Sequence, residues 1–394
     1  MTKFSKQILI ISGEASGDLL GAHLAKSLKT LDPTILLTGV GGKQMRDAGV
    51  SIFIDSNRLG VVGLFEAFKY LNIILSIRQT LKKRFKKTPP NLVVFIDYPG
   101  FNLHMAKHAK KAGIPVLYYV SPQTWAWRYG RTKNIKKYVD QMAVLFAFEE
   151  KLYQRENIPV NLVGHPLIDI AVPSLCRKEA YQRFNLSPDK PIIGLFPGSR
   201  NNEITRLLPI IVSAAHLIQK HIPQVQFVLP LAPNLSMDDI RNYLFPEIKV
   251  IKHNVYNILP LCDAAIATSG TVTLEIALYQ VPFIIIYKVA LLTYWLVKNL
   301  IRVPCIGLSN LVAGARVTPE LIQKAATPEA IANEICRLLE DSFYRQYRLT
   351  QLKPIKEKLG GGGASMRVAR LALEMLYLST TAEQSLCKKA KMSS

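Results

Sequence analysis

The sequence predicts an α/β protein of two doubly wound, Rossmann-like domains. Two observations carry that prediction. Short apolar, β-branched runs alternate with longer helix-periodic stretches, and the runs are apolar without interruption, as in strands covered on both faces of a parallel sheet. The series also starts twice, with a strand running into a glycine turn and a helix at Gly13 in "IISGEASGD" and again at Gly198 in "GLFPGSR". With 394 residues, 49 % hydrophobic and 20 % charged, the chain has room for a core in each half.

Taken in order, the strands of the first half are "ILIIS", "NLVVFID", "PVLYYVS", "QMAVL" and "VNLVG". Those of the second are "IIGLF", "QFVLP", "IKVI", "AAIAT" and "PFIIIY". The series pauses in the proline-rich stretch between His165 and Pro191, which sets a first domain at 1–168 and a second at 169–345. In such a fold ligands sit at the carboxyl ends of the strands, here in a cleft that the two domains face. A glycine hinge, "LGGGGAS", precedes a helix with apolar Val368, Leu371, Leu373 and Leu376, and the polar tail at 379–394 reads as disordered.

The net charge of +22, from 50 Lys+Arg against 28 Asp+Glu, attracts anions: nucleic acid, an anionic membrane or a phosphorylated substrate. The apolar run near the N-terminus is too short for a signal-peptide core, and "VALLTYWLVKNLI", thirteen residues with a lysine inside, is too short to span a bilayer. Five scattered cysteines without a C-x-x-C pair give neither a zinc site nor a disulfide framework. The expectation is a cytoplasmic protein with no membrane span.

Four glycine-bearing or acidic corners hold the chemistry. At Pro197 to Arg200, Gly198 would admit a phosphate close to the backbone, Ser199 would donate to it and Arg200 would pair with its charge. The plain alternative is a turn with Ser199 as helix N-cap. A second corner, Ser269-Gly270-Thr271, offers hydroxyl and amide donors, and Glu275 one turn later suits the two hydroxyls of a ribose; N-capping is again the alternative. In the first half, "GEASGD" supplies Gly13, Glu14 and Ser16, better suited to sugar hydroxyls. In "FIDYPGFN", Asp97 follows a buried strand as a candidate general base, or as a solvated loop acid. Further on, "YYVSPQTWAWRYGRTKNIKKYVD" interleaves aromatic and basic residues. The stretch from Gly60 to Lys87 places Leu64, Phe68, Leu71 and Leu75 on one face, with Phe65 beside it and five basic residues behind, which fits either a membrane-surface helix or a buried domain helix. P-loop, G-x-S-x-G, H-E-x-x-H and D-x-D patterns are absent, so arginine and helix starts would meet the charge of a diphosphate; neither a metal nor a cofactor is expected.

"SGEASGD", "DYPGFN", "YYVSPQTWAW", "VGHPLID", "FPGSRNNEI", "SGTVTLE" and "LSNLVAG", in this order from Ile8 to about Leu378, resemble the lipid-A-disaccharide synthase family. The resemblance implies a GT-B fold whose C-terminal return helices, at 346–378, pack on the first domain. It also implies an inverting, metal-independent transfer from UDP-2,3-diacylglucosamine to 2,3-diacylglucosamine 1-phosphate (lipid X), giving a β(1→6) disaccharide 1-phosphate and UDP. In that reading the first domain takes the acceptor and the second the donor. Asp97 becomes the base, Ser199 and Arg200 meet the leaving UDP, Glu275 holds its ribose and Asn310 lies near the donor. Lipid substrates place the protein peripherally on the anionic cytoplasmic face of the inner membrane; a homodimer is open and nucleic acid is not a partner. Gly100 stands where the family commonly has an acid, Ser309 where proline is usual and Ala315 where a basic residue is common. Two other readings stay open: a related transferase acting on lipid I, which should show a G-G-T-G-G-H-like first loop, and a non-catalytic membrane- or RNA-binding protein that would need neither Asp97 nor Glu275.

Overall fold

A computed structural model describes residues 6–56, 67–122, 130–252, 254–289 and 305–392. The chain divides into two compact units, 1–166 with 361–394, and 167–360.

The first unit is a seven-stranded parallel sheet of β1 (Gln7–Ser12), β2 (Leu36–Gly41), β3 (Ser51–Asp55), β4 (Leu92–Ile96), β5 (Val116–Tyr119), β6 (Gln141–Val144) and β7 (Val160–Leu162), ordered β3-β2-β1-β4-β5-β6-β7. Its helices are α1 (Ala15–Leu31), α2 (Lys43–Asp47), α3 (Ala67–Lys87), α4 (Pro99–Lys111), α5 (Gly130–Tyr138) and α6 (Ala147–Arg155). β1 and β4 are buried almost throughout, which explains their unbroken apolar runs. Strands β2 and β3 were not legible in the sequence: "LLTGVG" is diluted by glycine and threonine, and β3 is only partly buried.

The second unit repeats the plan with β8 (Ile192–Phe196), β9 (Gln226–Leu231), β10 (Ile248–Lys252), β11 (Ala264–Thr268), β12 (Phe283–Tyr287) and the short β13 (Glu320–Ile322), all parallel and ordered β10-β9-β8-β11-β12-β13. Around it lie α7 (Arg177–Arg183), α8 (Asn201–His221), α9 (Val272–Leu278), α10 (Leu308–Ala313), α11 (Pro328–Glu340) and α12 (Ser342–Lys358). In α8, Ile204, Leu207, Leu208, Ile211, Ala215 and Ile218 recur at helical spacing and seal one face of the sheet.

A last helix, α13 (Ala364–Met392), belongs to the first unit. Ala364, Val368, Ala369, Ala372 and Leu376 form its buried stripe against α1, and the Tyr377 hydroxyl donates to Asp32 Oδ2 at 2.5 Å. Two sequence expectations change here. Helix α12 stays with the second unit, burying Leu352 and Ile355 among α9, α10 and α11, so only α13 makes the return. The break falls at Gly360 and Gly363, whose φ of 83° and 84° ends one helix and reorients the chain for the next. The tail from 379 continues as helix to Met392 rather than being disordered; "STTAEQSLCKKAKM" contains good helix formers and no glycine or proline.

Candidate functional site

In a doubly wound sheet the strand order reverses once, and loops leaving the two strands beside that reversal part to opposite faces and open a crevice. The reversal falls between β1 and β4 in the first unit and between β8 and β11 in the second. Each corner singled out in the sequence leaves one of these four strands.

In the second unit the corners after β8 and β11 border one pocket of about 680 Å³. Gly198, Ser199, Arg200, Ser269, Gly270, Thr271 and Glu275 all line it. The φ of Gly198 is 110°, a conformation that side-chain-bearing residues rarely adopt. Glu203, passed over in the sequence, shares the corner. Its Oε2 accepts from the Ser199 and Arg200 amides at 3.1 and 3.3 Å, and its Oε1 lies 3.4 Å from Arg200 Nη1. Ser199 is therefore not the N-cap: Arg200 holds that position, and the acid three residues on supplies the cap. The spacing of Arg200 and Glu203 was a readable capping signal. Those two amides are not open to a phosphate while Glu203 holds them, whereas the Arg200 side chain is three-quarters exposed.

On the other side of the pocket Ser269 Oγ donates to the Ile306 carbonyl at 2.7 Å, and Thr273 Oγ1 donates to the Gly270 carbonyl at 2.8 Å. Thr268 Oγ1 is buried at the pocket wall without a hydrogen-bond partner. Burial pushes the Glu275 carboxyl up to about 7, and burial, with the Glu275 charge, raises Tyr279 to about 12. Tyr256 and Asn254 line the pocket too and carried no sequence signal. Asn310 does not line it. Its Nδ2 donates to the Thr318 carbonyl and to Glu320 Oε1, both at 2.8 Å, and its Oδ1 accepts from the Thr318 amide. In this structure it ties α10 to the approach of β13.

In the first unit, Asp97 follows β4 and Glu14 follows β1. Burial and the Glu14 charge push the Asp97 carboxyl up to about 6. The backbone takes the left-handed region twice running, with φ of 46° at Asp97 and 48° at Tyr98. Such a corner needs external restraint. Asn102 Nδ2 supplies it by donating to the Ile96 and Asp97 carbonyls at 3.1 and 2.7 Å, and the Tyr118 hydroxyl donates to the Asp97 carbonyl at 2.7 Å. Gly13 serves the same corner: a Cβ there would meet the Tyr98 ring at 2.4 Å. Glu14 and Ser16 are exposed at the start of α1. Asp18 is buried, accepting from the amides of Gly42, Gln44 and Met45 to cap α2, and is spent structurally.

Of the apolar positions read as membrane contacts, Leu75 is 40 % exposed on α3, beside Ile73 at 38 %. Leu64 and Phe65 lie outside the described residues, as do the side chains of Phe68 and Leu71 and both Trp125 and Trp127. Ile77, Leu81 and Phe85 of α3 are core, as the domain-helix reading of that stretch expects. Among the described residues no helix is long and apolar enough to cross a membrane, and no group of three or more His, Cys, Asp and Glu residues is placed to hold a metal ion.

Two tandem Rossmann-like units, with a pocket at one switch point and a half-buried acid at the other, define an α/β protein of the GT-B fold. Solved structures share this fold: a UDP-GlcNAc 2-epimerase from Neisseria meningitidis bound to UDP-GlcNAc (TM-score 0.66, 16 % identity, covering 93 % of this chain and 100 % of that one), and a glycosyltransferase from Rickettsia africae (TM-score 0.57, 14 % identity, 95 % and 98 %). The family model for lipid-A-disaccharide synthetase matches residues 8–368. Lipid-A-disaccharide synthases of Coxiella burnetii (strain Dugway 5J108-111) and Geobacter metallireducens are 60 % and 49 % identical, covering 95 % and 94 % of this chain and 99 % and 98 % of theirs. The chain belongs to the lipid-A-disaccharide synthase family, and its activity is the glycosyl transfer that forms the lipid A disaccharide.

Proposed function

We propose that this enzyme transfers the diacylglucosaminyl group of UDP-2,3-diacylglucosamine to the 6-hydroxyl of 2,3-diacylglucosamine 1-phosphate, with inversion at the anomeric carbon. The acceptor oxygen forms the new C–O bond as the bond to the diphosphate breaks; the hydroxyl proton passes to Asp97 and the electron pair leaves with UDP. Asp97 suits the part because a carboxyl pushed up to about 6 is ionised at neutral pH yet more basic than an ordinary one. The developing charge on UDP falls to Arg200, the Thr268 hydroxyl and the Ser269–Thr271 corner, and Glu275 accepts from the ribose hydroxyls. The observation that carries the reading is the pocket in which the β8 and β11 corners meet around Glu275. The first unit then serves the acceptor and the second the donor.

Association with the membrane is peripheral in this reading, through the exposed Ile73 and Leu75 of α3 and its basic end, on the anionic cytoplasmic face of the inner membrane. UDP release by purified enzyme, with and without the acceptor, tests the chemistry. Acceptor-dependent release that collapses in Asp97→Ala supports it. No release from wild type removes the substrate assignment, and full activity in the variant moves the base to Glu14.

A further inference from the structure

A second concentration of chemistry lies between α3 and α4. Arg78 and Lys82 come from α3, and His104, Lys107 and His108 from α4. His104 and His108 are one turn apart, with Nε2 atoms 3.2 Å from each other and ring centroids at 5.0 Å. Arg78 Nη2 also donates to His104 Nε2. An imidazole nitrogen facing a guanidinium donor carries a lone pair, so the His104 ring is neutral and its N–H sits on Nδ1. Arg78 Nε is buried without a partner. Among the described residues no carboxylate pairs with any of the five, and Asp140 is already taken by Lys110 and the Val116 amide. Burial, with Lys82, His104, Arg78 and Lys107, holds His108 down to about 4, and burial with the same cations lowers His104. Among the described residues the cluster is positive, partly buried and without a carboxylate counter-charge.

Beside it lies a pocket of about 380 Å³, whose polar lining is His104, Lys107, Asn134 and Tyr138 and whose rim is Pro99 and Gly100. Pro99 and Gly100 open α4, directly after the Asp97–Tyr98 corner. Gly100 leaves that end of the pocket without a side chain, and a Cβ there would meet nothing within 4 Å. Paired histidines at this spacing also suit a transition metal. Three fixed cations oppose that, and the His104 lone pair is already engaged by Arg78. The chemistry that remains is an anion with several oxygen acceptors.

We propose that this pocket binds a lipid-borne phosphate: the 1-phosphate of the acceptor sugar, or the headgroup phosphate of a membrane phospholipid. Lys107 and Lys82 supply charge, while His104, Asn134 and Tyr138 supply directional donors. Where the acceptor is the source, the inference rests on the reaction proposed above. Anchoring the phosphate at the start of α4 then determines which sugar hydroxyl reaches Asp97.

The test compares wild type with Lys107→Ala and the double variant Lys82→Ala/Lys107→Ala, each checked for an unchanged melting temperature. Equilibrium binding is measured to glucosamine 1-phosphate, to glucosamine, and to phosphatidylcholine vesicles with and without phosphatidylglycerol. Wild type is expected to hold glucosamine 1-phosphate at least about tenfold tighter than glucosamine, with the double variant erasing most of that preference and leaving glucosamine binding alone. A loss confined to the phosphatidylglycerol vesicles would instead assign the site to phospholipid. Equal losses for phosphorylated and unphosphorylated probes, or none on either arm, would overturn it. Absent UDP release with full substrates would remove the reaction without touching these binding data.

Discussion

Asp97, the base proposed above, sits at a corner with a conformational cost. Two consecutive left-handed residues without glycine are expensive, and the carboxyl they present is half-buried beside Glu14. Raising it from 3.8 to about 6 means that the unfolded chain ionises first as pH rises, so the fold loses stability between pH 4 and 6 and keeps that deficit above. Asp97→Asn is therefore expected to stop transfer, lowering kcat by about 10²–10⁴-fold. It should also raise stability at pH 7.5 by up to about 3 kcal/mol, a gain that fades below pH 4. Melting curves at the two pH values check this; an equal gain at both would show that Asp97 is not perturbed by its surroundings. Glu275 makes a parallel case. With its carboxyl near 7, ribose hydroxyls favour the ionised form, so UDP should bind more tightly as pH rises from 6 to 8. Calorimetry on Glu275→Gln should show weaker binding and lose the part of this pH dependence that UDP's own ionisation does not supply. A variant that keeps the full dependence would put ribose recognition elsewhere.

The elements matter through their ends. A strand delivers its last residue to the crevice, and the first turn of the next helix determines how that residue is presented. Asn102, in the first turn of α4, holds two carbonyls of the preceding corner and is itself fully buried. Asn102→Ala removes both bonds and is expected to cost roughly 2–3 kcal/mol. Because the corner then relaxes, kcat should fall more than the UDP affinity changes, since the pocket proposed for UDP is built by other strands. A variant with normal kcat and a lowered melting point would leave Asn102 as a purely structural cap. On α8, Glu203 occupies two amides of the β8 corner. Glu203→Gln keeps the cap with less charge, so UDP is expected to bind a few-fold more tightly by direct titration, a result that unchanged or weaker binding would contradict.

Over the whole molecule, the peripheral association proposed above would draw on the excess of 22 positive charges and on the exposed Ile73 and Leu75. Binding to vesicles containing phosphatidylglycerol should weaken steeply between low salt and about 0.5 M as the charges are screened. Ile73→Ser/Leu75→Ser should reduce it further while leaving the melting temperature within about 1 °C, because neither side chain belongs to the core. Salt-independent binding, or binding unaffected by the double variant, would place the contact on another face.

The sequence by itself determined the architecture and the four corners. Ten of the strands announce themselves as apolar, β-branched runs, most of them because parallel strands buried on both faces must be apolar throughout, and "GEASGD", "DYPGFN", "FPGSR" and "SGT" mark the ends of β1, β4, β8 and β11. Weakly apolar or very short strands, β2, β3 and β13, carry no such signal. Only the tertiary structure decided which corners meet, because strand order fixes the switch point and pairing is non-local: Phe196 and Thr268 are far apart in sequence, yet their strands lie side by side. It also sorted one acid from another. Asp97, Asp18, Glu203 and Glu275 look alike as letters. Packing leaves the first half-buried beside a like charge, spends the second on three amides, turns the third into a cap and sets the fourth in a pocket wall. A carboxylate's role follows from its desolvation and its donors, and both are properties of neighbours that the chain brings together only on folding.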